Sequence, residues 1–551
     1  MIKKHKTVRK QELRRCKGGT LNCSETSNAI TEEEEGEDEI WKSIDSPTAY
    51  KRETERIRNA YLLRKTAKLF LKNRQLITGY FLNSICEDSG ACLAFGKEVR
   101  KINKFFNGFT LTEINSPYIT FPIKVKETTS SNGFITEIEF KKEGYKRVDV
   151  HNRNGEHLRY KMVKQDYVSH AILKSSRTSK SDNLMYEVLA GSFINTKNLY
   201  FPCFLETYGI YKYRNEVAWN EFNIAAVNRM HSKTTITDRL EELTGELDLG
   251  VGCQHSKHIA ILIQHIKTEK KLTEYLKHTP YQQSSSELFY KYDLLYILFQ
   301  IYLPLGILKN EFTHYDLHQE NVVLYPAKEN KYFECYYHMP DSTTIRFKTR
   351  FISKILDYGR CYFKTQSFGS REVRSQLCRL SQCKKTETTY LGNVVTGDCG
   401  ILQGFGTLEP ETSPGSFAYI CSSKRNMSHD LRLLQWFKNL NDFTVGFSKQ
   451  NANPELFGAI DMIHYGASFR SNFGISETIS SGLPHAINNV NDAYIKLAEI
   501  INLPAKMEEN NRIFSTFTKM GEIHVYCDQS KPMKYIPTFN RSPDKIIVEN
   551  E

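Results

Sequence analysis

Apolar residues change their spacing twice along the chain, and the two changes divide it. Residues 1–48 show no apolar periodicity and read as a flexible charged tail. From Pro47 to about Ile85 the pattern is helical, Ile57, Tyr61, Leu62, Leu69 and Phe70 sharing one face with Lys and Arg on the other, which makes 49–117 a helical extension. From Tyr118 the period shortens to two, predicting strands over Ile119 to Val125, Phe134 to Phe140 and Tyr167 to Leu173. Ser130-Ser131-Asn132-Gly133 supplies turn chemistry between the first two strands. A helix follows over Asp182 to Ile194, then strands over Leu205 to Tyr211 and Ile259 to Ile266. Beyond Pro280 the spacing turns helical again. One long apolar helix is predicted over Ser285 to Leu308, with later helices over His429 to Leu440, Pro454 to Tyr465 and Asp492 to Ile501. The polar residues 503–551 predict an irregular C-terminal tail. A strand-rich block, 118–266, thus precedes a helix-rich block, 267–502. Such segregation argues an α+β fold in two lobes, not a doubly wound sheet.

Composition changes this picture little. The chain has 551 residues, 40% of them hydrophobic, and its 31 Tyr and 32 Phe favour a packed interior. The longest apolar stretch, Leu294 to Leu308, is too short for a membrane span and contains Gln300 and Pro304. Met1 to Lys17 carries eight Lys or Arg and no apolar block, unlike a secretory signal. Thirteen Cys without a C-x-x-C pair agree with an intracellular, reducing compartment. Cys378, Cys383, Cys399 and Cys421 lack the tight pairing of a zinc site. The net charge of +12 suits an acidic partner, but Glu32 to Glu39 holds seven acids in eight positions between two basic runs. Opposed blocks attract one another, so no nucleic-acid partner is expected.

The chemistry concentrates in three segments. Thr313-His314-Tyr315-Asp316-Leu317-His318-Gln319-Glu320-Asn321 follows the long helix and runs into an apolar strand; Asp316 and Asn321, five apart, face one site if the loop is tightly wound. Ile355-Leu356-Asp357-Tyr358-Gly359 is an apolar strand ending in an acid and a turn glycine. Upstream, Ala171-Ile172-Leu173-Lys174 ends a predicted strand, and Glu187 lies in the helix after it.

In this order the segments resemble the lysine strand, acid helix, H-x-D-x-x-x-x-N loop and D-F-G of protein kinases. The chain looks most like the divergent serine/threonine protein-kinase-like proteins of large DNA viruses, over about Tyr118 to Asn502, roughly 70% of its length. They share the long Tyr-rich insert before the second aspartate and the Phe201-Pro202-Cys203-Phe204-Leu205-Glu206-Thr207-Tyr208-Gly209 stretch. The resemblance implies a bilobal fold: a small antiparallel N-lobe with one key helix over 118–266, and a larger, mostly helical C-lobe over 267–502. It implies ATP and Mg2+ as cofactors and transfer of the γ-phosphate to a protein hydroxyl. Asp316 would be the catalytic residue, and Asn321 and Asp357 the metal ligands. Lys174, Glu187, Gly133 and the hinge residues Gln264, His265 and Ile266 would hold the nucleotide, while Asp430 of Ser428-His429-Asp430-Leu431 would secure the catalytic loop. If the source is viral, host cytoplasm or virion is the implied location.

The chain departs from the family in several places. One glycine, Gly133, stands where protein kinases have three, and Gly90 to Lys97 has one residue too many for a P-loop. Tyr315 replaces the usual Arg, and Asp316-Leu317-His318 has the form found in aminoglycoside and choline kinases. Pro326 to Lys354 is inserted, which a β-hairpin would absorb; Leu408 to Glu411 is the only A-P-E candidate, and Arg371, Arg374, Arg379, Lys384 and Lys385 could meet an acidic peptide. A small-molecule kinase, an inactive pseudokinase scaffold and a nucleic-acid-binding protein that uses the basic flanks stay open beside the protein-kinase reading, and the oligomeric state is undetermined.

Overall fold

The computed structural model describes residues 133–151, 157–176, 183–221, 240–242, 259–264, 270–276, 283–327, 329–366, 369–376, 386–390, 393–397, 422, 425–442, 446–463, 486–538 and 545–547. The tail over 1–48, the helical block 49–117, the strand over 119–125, the glycine segment 90–97, the A-P-E candidate and the four cysteines all lie outside these residues.

The chain is a mixed α+β protein. Its first sheet holds β1 (Gly133–His151), β2 (His157–Ser176), β3 (Thr207–Tyr213), β4 (Leu240–Glu242), β5 (Ile259–Gln264) and the late strand β17 (Lys545–Ile547), in the order β17-β1-β2-β5-β3-β4. All neighbours are antiparallel except β17, which runs parallel to β1. The hairpin β1/β2 is far longer than the alternation predicts, with pairing running from Gly133–Ser176 to His151–His157. Gly133 is thus the first residue of a strand. A Cβ there would come within 2.6 Å of the Ser175 carbonyl oxygen, so only glycine fits. Helix α1 (Asn183–Asn198) packs on this sheet, and its buried Phe193 stacks on Phe312 and Phe363. It approaches closely at Gly191, where a Cβ would sit 2.3 Å from Thr207 Oγ1.

The long helix predicted over Ser285 to Leu308 is two helices, α2 (Gln283–Tyr292) and α3 (Leu294–Ile307). The break is at Asp293, whose buried carboxylate is gripped by Arg350, a partner 57 positions away that no local pattern reveals. Helix α3 is buried on every side from Leu294 to Gly306, as suits a helix inside the body.

Among its described residues, the block after 267 carries several short strands that its apolar spacing does not predict. Strand β8 (Val322–Pro326) sits between β6 (Lys270–Lys271) and β11 (Phe351–Ile355), and β7 (Phe312–Thr313) pairs with β12 (Tyr362–Phe363). The inserted segment forms the hairpin β9 (Lys331–His338) and β10 (Thr344–Thr349). A small hairpin, β13 (Thr386–Tyr390) and β14 (Asn393–Gly397), follows. Helices α4 (Arg432–Asn439), α5 (Pro454–Asp461) and α6 (Val490–Ile501) come close to their predicted spans. Asn453 and Asn489 set two of the starts by accepting hydrogen bonds from Leu456 N–H and from Asn491 and Asp492 N–H.

The irregular tail expected over 503–551 is also corrected. Residues 504–513 form α7 (Pro504–Ile513), and β15 (Thr518–Tyr526) and β16 (Lys534–Pro537) extend the hairpin to the four-stranded sheet β10-β9-β15-β16. β15 runs parallel to β9, nearly two hundred positions upstream. Within β15, buried Ile523 and Val525 alternate with partly exposed Glu522, His524 and Tyr526, a period of two set in a polar stretch. One continuous apolar core joins α1, α3, the β8/β11 pair, α6 and β15.

Candidate active site

The site begins with an ion cluster drawn from three separate elements. Lys174 lies near the end of β2, opposite Ile135 on one side and Ile261 on the other. Its Nζ donates to Glu187 Oε2 at 2.7 Å and Oε1 at 2.9 Å, so the second turn of α1 faces β2. It also donates to Asp357 Oδ1 at 2.9 Å, from a residue 183 positions later. Burial pulls the Lys174 ammonium down, but Asp357 and Glu187 outweigh it and hold the group above the ordinary lysine value. One cation cannot satisfy two carboxylates equally. Burial pushes the enclosed Glu187 up to about 7 against the opposing pull of Lys174, whereas Lys174 holds the more open Asp357 below the usual carboxylate range despite its desolvation.

The loop carrying Asp316 is wound by one buried acid. Asp430 accepts from His314 N–H at 2.6 Å and from Tyr315 N–H at 2.9 Å. Tyr315 has φ 63°, a left-handed conformation costly for a bulky residue, and its buried ring lies 4.8 Å from that of His429. His314 Nδ1 accepts from Asp316 N–H at 3.2 Å, which leaves Nε2 to donate to the Leu356 carbonyl at 2.7 Å. A second left-handed residue, Asp357 at φ 63°, follows that carbonyl directly. Asn321 closes the loop: its Nδ2 donates to the Asp316 carbonyl at 2.9 Å, and its own carbonyl accepts from Leu356 N–H at 2.9 Å. Tyr358 then turns inward, donating to the Ile355 carbonyl and accepting from Leu205 N–H.

Asp316 itself meets two arginines that no sequence motif singled out. Arg432 Nη1 is 3.0 Å from Oδ1 and Arg360 Nη1 is 3.2 Å from Oδ2; His318 Nε2 stands 3.7 Å from Oδ1. The available signal was position: Arg360 follows Asp357-Tyr358-Gly359 immediately, and Arg432 comes two residues after Asp430.

A cleft lies beside the ion cluster. Ile172, Leu205, Ile263 and Leu356 give it apolar walls, and Lys174, Glu187, Asn321 and Asp357 line its polar end. Gln264 lines it too; the buried side chain accepts from Glu206 N–H through Oε1, while its Nε2 has no partner among the described residues. His265 and Ile266 lie outside the described residues. Gly133 is not among the lining residues. The donor set has the chemistry of a magnesium nucleotide site. Asn321 Oδ1 and the Asp357 carboxylate are hard oxygen donors of the kind magnesium takes together with phosphate oxygens. The apolar walls and the orphaned Gln264 N–H suit a heterocyclic base. No cluster of three or more His, Cys, Asp or Glu poised for a metal occurs among the described residues, and no helix among them is long and apolar enough to cross a membrane.

No protein-family model matches the sequence, and no curated protein sequence matches it. Among solved structures, the Rio2 kinase–ADP/Mg2+–phosphoaspartate complex from Chaetomium thermophilum is similar at 10% identity, with a TM-score of 0.19, over 68% of this chain and 82% of that one.

Proposed function

We propose that this protein is an ATP- and Mg2+-dependent protein-kinase-like phosphotransferase that moves the γ-phosphate to a serine or threonine hydroxyl of a protein. In this reading the β1–β5 sheet with α1 is the smaller of two lobes, and the elements from β6 onward form the larger. The observation that supports it most is the contact of Lys174 with both Glu187 and Asp357, since these residues come from three distant segments and converge at a cleft that also holds Asn321.

Each group then has a task set by its chemistry. Lys174, held by Glu187, offers its ammonium to the α and β phosphates. Asn321 and Asp357 would hold the metal, with the Asn321 nitrogen already committed to the Asp316 carbonyl and its oxygen therefore left as the donor. Bound magnesium-ATP supplies the phosphoryl group and neutralises its charge. Asp316, wound into position by Asp430, accepts the proton of the attacking hydroxyl. Gln264 takes an acceptor atom of the base.

The test is transfer of labelled γ-phosphate from Mg-ATP to the protein itself and to generic protein acceptors, by wild type beside Asp316→Asn and Asp357→Ala. Transfer by wild type alone is expected, with each variant down by roughly two orders of magnitude or more. Equal label from all three would overturn the assignment. Transfer only to hydroxylated metabolites would move the acceptor to a small molecule, and Mg-ATP binding without any turnover would mark a pseudokinase.

A further inference from the structure

A second cluster of titratable groups lies away from the cleft, where the inserted hairpin meets the C-terminal strands. His338 Nε2 on β9 and His524 Nδ1 on β15 are 3.1 Å apart, and their rings lie 5° from parallel with centroids 5.4 Å apart. Rings in contact at 3.1 Å reach that separation only end to end in one plane, so the contact is an in-line hydrogen bond. The outer nitrogens settle its direction. His524 Nε2 lies 3.4 Å from Glu522 Oε2, a carboxylate oxygen that only accepts, so in the neutral ring Nε2 carries the proton and Nδ1 accepts. His338 Nε2 therefore donates, and its Nδ1, 3.3 Å from Thr344 Oγ1, accepts from that hydroxyl. One hydrogen-bond chain thus crosses β10, β9 and β15.

The charges facing this chain are mostly cationic. Tyr526 stacks on His338 and carries Lys531 4.0 Å from its ring centre, while Tyr336 stacks on His524 beneath Arg346. Lys534 of β16 lies opposite His524. The acids there serve other cations as well: Glu334 accepts from Arg346 and Lys519, and Glu522 from Lys519 at 2.6 Å. In the flanking turns Asp341 accepts from Thr343, and Asp528 accepts from Ser530 with Lys531 nearby. Burial first, then His524 and Lys531, lower the His338 pKa below the ordinary 6.5. We infer that His338 and His524 form a one-proton latch between the inserted hairpin and the C-terminal strands, intact with one added proton and broken by two. One added proton leaves a single N–H between the rings, with the charge favoured on the ring beside Glu522. A second sets N–H against N–H between like charges, so the strands part there. The sign follows from His338: its lowered value means that the open form binds more protons below 6.5, and the hold of β15 on β9 weakens as pH falls. The latch goes beyond the phosphotransferase reading and stands without it.

The experiment follows backbone hydrogen exchange of the full-length chain by mass spectrometry at pH 7 and pH 5, with labelling times scaled to the intrinsic rate at each pH. Peptides from β9 and β15 are expected to show an opening equilibrium about tenfold larger at pH 5, while those from α3, buried on every side, keep their protection. His338→Gln and His524→Gln each leave one titratable ring, so each should cancel most of that tenfold change; a merely structural role for the pair predicts no such cancellation. Unchanged β15 protection between the two pH values, equal loosening of α3, or the same tenfold change in both variants would overturn the latch. The wild-type comparison of β15 with α3 requires no variant to fold.

Discussion

Two lysines, one partly and one fully buried, both at or near the ends of strands, show how the same side chain is put to different ends. Lys174 on β2 lies between Glu187 and Asp357, and those acids hold it charged despite its burial. Lys354 on β11 is fully enclosed, its Nζ donating to the Phe204 carbonyl at 3.1 Å, and burial pulls it down to about 7. Cys203 and Glu206 offset that burial only in part. Burial alone therefore drives a lysine towards neutrality, and only close carboxylates reverse the sign. The charged lysine borders a cleft; the enclosed one joins β11 to the 203–204 segment, where Ile355 N–H also donates to the Cys203 carbonyl. A cation kept charged at a cavity is a candidate for phosphate binding, while one driven towards neutrality within the core serves packing.

The comparison breaks most visibly at Lys174. Lys174→Met should lower phosphate transfer by about two to three orders of magnitude, since it removes a preorganised charge from the phosphates. Single-turnover rates with saturating Mg-ATP check this, and unchanged turnover would place Lys174 in the same class as Lys354. Asp430→Ala is a third case, a buried acid whose partners are backbone amides. It should cost roughly 2–5 kcal/mol, from two buried N–H groups left unmet and a left-handed Tyr315 no longer held. Denaturant unfolding measures that loss, and the transfer rate should fall with it.

Lys354→Met leaves phosphate transfer least affected and gives the clearest sign in stability. The folded protein holds this amine near 7 while the unfolded chain returns it to about 10.5, so the unfolded state binds more protons between those values. This group's contribution should therefore make wild-type stability rise with pH over that window, by up to about 1.4 kcal/mol per pH unit. The methionine variant lacks this slope. It should melt higher than wild type at pH 6, with the gain shrinking towards pH 10. A gain independent of pH would mean that Lys354 is not held near neutrality.

Much of this arrangement could be read before any coordinates. Lys174, Glu187, Asp316, Asn321, Asp357 and Asp430 all stand out because each follows or precedes an apolar run of definite period, and their order along the chain is informative even when each motif alone is short. The helix start at Pro454 was equally legible, whereas the Asn489 cap begins the last predicted helix two residues earlier, at Val490. Arg360 and Arg432 were passed over, because an arginine beside a motif looks like any solvated cation until its partner is known.

What the sequence by itself determined is the order of the elements, their periods and the kinds of group available for chemistry, since these depend on neighbours within a few residues. Tertiary structure alone decided the rest. It split the long helix at Asp293 through Arg350, set β15 parallel to β9, and opposed two acids to one lysine and two arginines to one acid. Charge balance and strand pairing are sums over groups far apart in the chain, and a local pattern carries no record of which distant group will come within 3 Å.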